Sequence, residues 1–192
     1  MKYHWILDNG HGIDTPGKRS PIWIDGSQLF EWEFNRDIVT RISDFLDKRE
    51  IKYTVLVPEE NDVTLPVRVK RANSIYINDR NSILISVHAN AGGGEGWEIF
   101  TTKGETPSDR VATRFYNEFK KEFREERFRL DYSDADPDKE ADFYVLKNTK
   151  MPAVLIENFF MDTESDCQKI ADGSFRQRIA NAVIKTILNF EE

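Results

Sequence analysis

The chain has 192 residues, a length that predicts one domain with a substantial core rather than two. Its 27 Lys and Arg against 34 Asp and Glu give a formal charge of −7, which argues against nucleic-acid binding and a polybasic membrane anchor, both of which gather excess cations. A hydrophobic share of 39% with 12% aromatics excludes a disordered chain, and the single cysteine, Cys167, excludes an internal disulfide.

Residues 3–7 predict a short buried strand that ends at the turn Asp8-Asn9-Gly10-His11-Gly12. No stretch before it has the make-up of a secretory signal peptide, and no run approaches the ~20 apolar residues of a membrane span. The expectation is therefore a soluble chain, made in the cytoplasm and not inserted in a membrane. Residues 13–28, with Pro16, Gly17, Pro21 and Gly26, read as a polar loop. Residues 29–48 read as a helix, because Phe30, Phe34, Ile38, Ile42 and Phe45 recur at three- or four-residue spacing, with Ser27 as its N-cap. Residues 52–57 have strand composition, and residues 67–73 predict part of a second helix after Pro66.

The apolar run 82–87 predicts a strand covered on both faces, which stops at His88-Ala89-Asn90-Ala91 before Gly92-Gly93-Gly94. Residues 97–102 predict another strand. Residues 108–124 predict a helix whose core face is Phe115, Phe119 and Phe123. Residues 131–140 read as an acidic surface loop, 152–156 as a buried strand ending at Glu157, and 174–190 as a closing helix. Strands alternating with helices predict an α/β fold with three layers. A mostly parallel twisted sheet is flanked by helices on both faces, and the site lies at the carboxyl ends of the strands. No repeat, low-complexity tract or linker divides it, so residues 1–192 are expected to form a single domain.

Three chemically capable residues stand at ends of buried strands: His11, His88 and Glu157. Parallel strands bring such ends to one rim. Glu31, in the first turn of the first long helix, is a fourth candidate, although carboxylates favour that position for dipole reasons alone. Two histidines and a carboxylate suit a catalytic zinc ion, which takes three protein ligands and keeps a position open for water. Zinc hydrolysis of an amide also needs a second, unligated carboxylate to move a proton. Glu31 and Glu157 can divide these roles, with Glu33 or Asp25 as alternatives to Glu31. A histidine after a strand is commonly a hydrogen-bonded structural residue, and His4, in mid-strand, reads that way. Two histidines at strand ends beside small-residue turns favour a metal. Cys167 lies in an acidic segment with no adjacent base, which argues against catalytic use.

These segments resemble, in order and over almost the whole chain, the zinc-dependent N-acetylmuramoyl-L-alanine amidases of the amidase-3 type, which cleave bacterial peptidoglycan. The resemblance rests on Leu7-Asp8-Asn9-Gly10-His11-Gly12, Glu31-Trp32-Glu33-Phe34-Asn35 and Leu65-Pro66-Val67-Arg68 with Ala72-Asn73. It rests further on Ser86-Val87-His88-Ala89-Asn90-Ala91, Gly96-Trp97-Glu98-Ile99 and Pro152-Ala153-Val154-Leu155-Ile156-Glu157 with Phe160. It implies that His11, Glu31 and His88 hold one zinc ion and that Glu157 is the general base and acid, and it selects Glu31 over Glu33. It also implies a single catalytic domain.

The chain departs from the family pattern at Asn9, where Pro or Ala is usual, and at Asn158 and Asp162. Its first two implied ligands lie 20 residues apart, a longer spacing whose extra length falls in residues 15–28 and bears on substrate access. No Tyr or Arg is assigned as an oxyanion donor, and Asn90 is a candidate contact to the site or to substrate. The alternatives are a related zinc hydrolase of another amide or peptide and a non-catalytic cell-wall binding domain, against which the retention of Glu157 argues. Without an export signal, the expected setting is a phage or prophage endolysin. Such an enzyme is expected to be a monomer, to have peptidoglycan as its partner, and to act on the cell wall or in the periplasm after a separate holin-like protein releases it. No long insertion precedes residue 152, so an open site is expected.

Overall fold

Apolar residues at every second position form the strands of this molecule, and they sort onto two faces of one sheet. In the computed structural model, which describes residues 2–192, Trp5, Leu7, Ile83, Ile85, Val87, Val154 and Ile156 join one buried cluster, and Ile6, Leu84, Ala153 and Leu155 join another. The period of two gives each strand an apolar side in both directions, which a sheet needs when helices cover both faces.

The described residues form β1 (His4–Asn9), α1 (Glu31–Lys48), β2 (Tyr53–Val55), α2 (Leu65–Asn78), β3 (Ser82–Asn90) and β4 (Trp97–Thr101). They continue with α3 (Pro107–Glu122), β5 (Lys139–Glu140), α4 (Tyr144–Asn148), β6 (Ala153–Phe160), α5 (Glu164–Ala171) and α6 (Gly173–Glu191). The six strands lie in the order β2-β1-β3-β6-β4-β5. Every neighbouring pair is parallel except β4 with β6. Helices α1, α3, α5 and α6 cover one face, with Phe115, Phe119 and Phe123 fully buried among them, and α2 and α4 cover the other. The three-layer, mostly parallel α/β architecture is the one expected from the sequence. Among the described residues no helix is long and apolar enough to cross a membrane.

Several local expectations need correction. Ser27 does not cap α1. Its amide and hydroxyl both bond Asp25 Oδ1 in a turn, residue 30 runs extended as the N-cap, and the Glu31 amide is satisfied by the Lys18 carbonyl at 3.0 Å. β3 and β6 continue past residues 87 and 156, so His88 and Glu157 lie inside paired strands, in register with each other. Helix α2 is longer than residues 67–73. The end of the acidic segment 131–140 pairs as β5, where the Thr101 hydroxyl donates to Asp138 Oδ2 at 2.6 Å. The helices α4 and α5 were not expected.

One irregularity shapes the site. Between His88↔Glu157 and Asn90↔Phe160 the register shifts by one residue, so β6 bulges just after Glu157. Phe159, within the bulge, has φ 64°, a left-handed conformation that costs a bulky residue about 1–3 kcal/mol. Packing of its buried ring against Phe123 and Phe175, at centroid distances of 5.8 and 5.0 Å, offsets that cost.

Candidate active site

His11, Glu31, His88 and Glu157 come from four different elements and meet at one end of the sheet. β1 delivers His11 through the turn at residues 10–12, and the first turn of α1 delivers Glu31. The paired residues of β3 and β6 deliver His88 and Glu157. Glu31 Oε1 lies 2.9 Å from His88 Nδ1 and 3.4 Å from His11 Nε2. One ligand atom from each of these three residues falls within 4.8 Å of the others, so the group can hold a metal ion. His11, His88 and Glu157 face a cavity of about 350 Å³. Glu31 sits behind the histidines, buried.

Close packing dictates the small residues around them. A Cβ on Gly10 would fall 2.1 Å from His88 Cε1, and one on Gly12 would fall 2.0 Å from the Asp62 amide nitrogen. His11 itself has φ 62°, a strained conformation for a residue with a side chain. Its carbonyl accepts from Arg36 Nη1 at 2.9 Å, and the Gly10 carbonyl accepts from Asn35 Nδ2 at 3.0 Å. Helix α1 therefore holds the turn in place while it supplies Glu31.

Beneath the cavity lies a buried ion pair that sequence reasoning left without a role. Arg68 Nη1 donates to Asp8 Oδ1 at 2.6 Å and to the Asn9 carbonyl at 3.0 Å, and the Ser86 hydroxyl donates to Asp8 Oδ2 at 2.7 Å. Arg68 Nη2 also reaches Asp62 Oδ1 at 2.8 Å. The pair ties α2 to the carboxyl ends of β1 and β3. Breaking a buried pair by removing one partner costs about 3–5 kcal/mol, because the other charge is left uncompensated. Asn158 Nδ2 donates to the His88 carbonyl at 3.0 Å across the bulge. Asn90 does not face the cavity contacts. Its amide donates to Glu98 Oε1 at 2.5 Å, and Glu98 also pairs with Lys139 and Arg129.

The electrostatics divide the two carboxylates. Burial alone would raise the Glu31 pKa, but hydrogen bonds from His11 and His88 prevail and hold it well below the usual carboxylate range. Glu157 has no such partner: burial, reinforced by the Glu31 charge against the opposing pull of His88, pushes it up to about 7. Burial lowers the His11 pKa against its bond to Glu31. At His88 the same burial is overcome by the Glu31 bond and charge, and the pKa is raised. Two groups with pKa values driven apart in one cleft suit a division between ligand or electrostatic partner and proton carrier.

A family model described as N-acetylmuramoyl-L-alanine amidase, Amidase_3, matches residues 6–189. The chain belongs to this family. It is 30% identical over 179 residues to the sporulation-specific N-acetylmuramoyl-L-alanine amidase of Bacillus subtilis, covering 91% of this chain and 63% of that protein. It is 29% identical to the endolysin of Bacillus phage SPP1, over 97% of this chain and 66% of the endolysin. This family member thus spans just under two thirds of those curated relatives. Its fold is similar to the N-acetylmuramoyl-L-alanine amidase from Clostridium difficile 630, with a TM-score of 0.82 at 25% identity, covering 98% of this chain and 96% of that one.

Proposed function

We propose that residues 1–192 form one catalytic domain that hydrolyses the amide between N-acetylmuramic acid and L-alanine in bacterial peptidoglycan. In this reading His11, Glu31 and His88 hold one zinc ion and Glu157 is the general base and acid. The convergence of these four side chains on one cleft carries the proposal. Two imidazole nitrogens and a carboxylate oxygen suit zinc's borderline softness. The buried oxygens Glu31 Oε2 and Glu157 Oε2 have no hydrogen-bond partner, which fits a site completed by a cation and a reacting water. When bound, zinc supplies Lewis-acid polarisation of a carbonyl and a water that ionises near neutral pH.

The chain's own residues supply the rest. Glu31, kept ionised by the histidines, offers a charged donor. Glu157, with a pKa near neutrality and in register beside His88, accepts a proton from the attacking water. It returns that proton to the alanine nitrogen as the carbon–nitrogen bond breaks. The Arg36 and Arg68 bonds to the His11 carbonyl and the Asn35 bond to the Gly10 carbonyl keep the 10–12 turn from relaxing while the site works. The cell wall is then the place of action. A monomer suffices, and a lytic role would call for a separate membrane-permeabilising protein.

The test combines metal analysis with product analysis on labelled peptidoglycan. One equivalent of zinc and newly freed L-alanine amino termini are expected from the wild type. Glu157→Ala is expected to keep zinc and lose about 10²–10⁴-fold in turnover. A wild type that binds no zinc, releases a different amine, or loses nothing on this substitution overturns the assignment.

A further inference from the structure

Two cations line the cavity among the described residues, Arg68 and Lys18. Arg68 is committed: it is 3% exposed and bonded to Asp8, Asp62 and the carbonyls of Val63 and Asn9. Lys18 differs. Its side chain is 42% exposed, and Nζ lies 3.9 Å from Glu31 Oε2, an oxygen without a hydrogen bond. Its charge also acts on His11 and on Glu157.

Lys18 stands at the root of the segment that lengthens the spacing between His11 and Glu31. That segment is built as an arm rather than a slack loop. Arg19 and Phe30 form an antiparallel bridge, the Ser20 amide bonds the Leu29 carbonyl at 2.8 Å, and the Leu29 amide bonds the Ser20 hydroxyl at 2.9 Å. The Trp23 indole donates to Cys167 Sγ at 3.2 Å, which anchors the arm to α5. The bond from the Glu31 amide to the Lys18 carbonyl sets the lysine directly beside that carboxylate.

A cation placed here opposes the binding of a metal ion a few ångströms away, so service to the metal does not explain it. It favours negative charge arriving in the cleft. We propose that Lys18 is a catalytic residue whose ammonium group faces the carbonyl oxygen of the scissile amide and pairs with the charge that develops there. This inference rests on the amide-hydrolysis reading above.

As the water oxygen bonds to the carbonyl carbon, Glu157 takes the water proton and the carbonyl electron pair moves to oxygen, where Lys18 compensates it. When that pair returns, the carbon–nitrogen bond breaks and the proton passes from Glu157 to nitrogen. Lys18 gives up no proton. With a metal held by Glu31, that carboxylate would hold Lys18 less strongly, which would leave the ammonium free for the substrate.

The experiment compares wild type, Lys18→Met and Lys18→Arg in zinc content, kcat, KM and pH profile. Lys18→Met is expected to keep one zinc and a KM within about threefold, and to lose about 10²-fold in kcat, the low end of what one oxyanion donor supplies. Its pH profile should keep its form with the Glu157 limb displaced to higher pH, since the lost cation lowers the Glu157 pKa, and Lys18→Arg should recover most of the loss. An unchanged kcat overturns the inference. So does a loss confined to KM, which would assign Lys18 to a substrate carboxylate, or one that tracks lost zinc, which would assign it to Glu31. A wild type that frees no L-alanine amino termini overturns the amidase reading and this inference together. An active wild type matched by Lys18→Met overturns this inference alone.

Discussion

Glu157 shows at the scale of one side chain how burial sets ionisation against stability. Burial favours its neutral form, so in the metal-free protein its pKa rises to about 7 from an ordinary 4.5. The sign follows from linkage: the folded state holds the proton more tightly, so stability falls as pH rises from 4.5 through about 7. Glu157→Gln keeps the shape and removes the titration. Metal-free Glu157→Gln is therefore expected to match wild type in thermal melts near pH 4 and to exceed it at pH 8 by about 3 kcal/mol, while turnover is lost. Equal differences at both pH values would contradict this account. His11, His88 and Glu157 were legible in sequence because each follows an apolar strand run. Glu31 needed the family resemblance, since a carboxylate in a first helical turn has a sufficient reason to be there without a metal. The pairing of Asp8 with Arg68 was not legible, because partners 60 residues apart are set by strand and helix placement, and the approach of Lys18 to Glu31 was not legible because it depends on how the segment between them folds back.

Among the elements, the turn after β1 and the two central strands carry the site. The Gly10 Cα packs against the His88 ring, so Gly10→Ala forces a Cβ to within 2.1 Å of Cε1. A shift of the ring is expected, with a loss of roughly 2–4 kcal/mol and of metal binding. Gly173→Ala is the control, since its Cβ would meet nothing nearer than Arg41 Nη2 at 3.9 Å. It should be neutral or slightly stabilising. Calorimetry and zinc titration of the two variants read both effects, and a normal zinc affinity in Gly10→Ala would show that His88 is not held by this contact. The central strands were legible from their apolar runs, but their ends were not. A polar His88 or Glu157 reads as a strand stop, whereas the neighbouring strand supplies backbone partners regardless of side chain. Helices α4 and α5, with 5 and 8 residues, are too short for a helical period to show. β4 runs antiparallel to β6 because only residues 91–96 join it to β3, too few for a crossover connection.

For the molecule as a whole, a bound metal would act on the same equilibrium as the protons. An ion that binds only the folded chain stabilises it by about 4 kcal/mol at a thousandfold excess over Kd, or roughly 8–16 °C for a domain of this size. Zinc is expected to raise the melting temperature by that order, chelation to reverse it, and His88→Ala to abolish the increment. Without metal, Glu157 and Asp138 act together. Asp138 is pushed up to about 8, first by burial and then by the neighbouring Asp136. Both acids favour the folded state while protonated, so metal-free stability should decline between pH 5 and pH 8. Thermal melts across that range, with and without chelator, measure it. A metal-free protein that gains stability toward pH 8 would contradict the placement of these two groups.

The sequence by itself determined the alternation of strands and helices, the three-layer sheet and which histidines and carboxylates are candidates for the site. Periodicity and local turn composition are properties of neighbouring residues. The tertiary structure alone decided the bulge that follows Glu157, the Asp8–Arg68 pair under the cleft and the arm that brings Lys18 beside Glu31. The first two depend on residues far apart in the chain, and the arm is held by the Trp23 bond to Cys167, contacts that only the packed sheet and its helices bring within range.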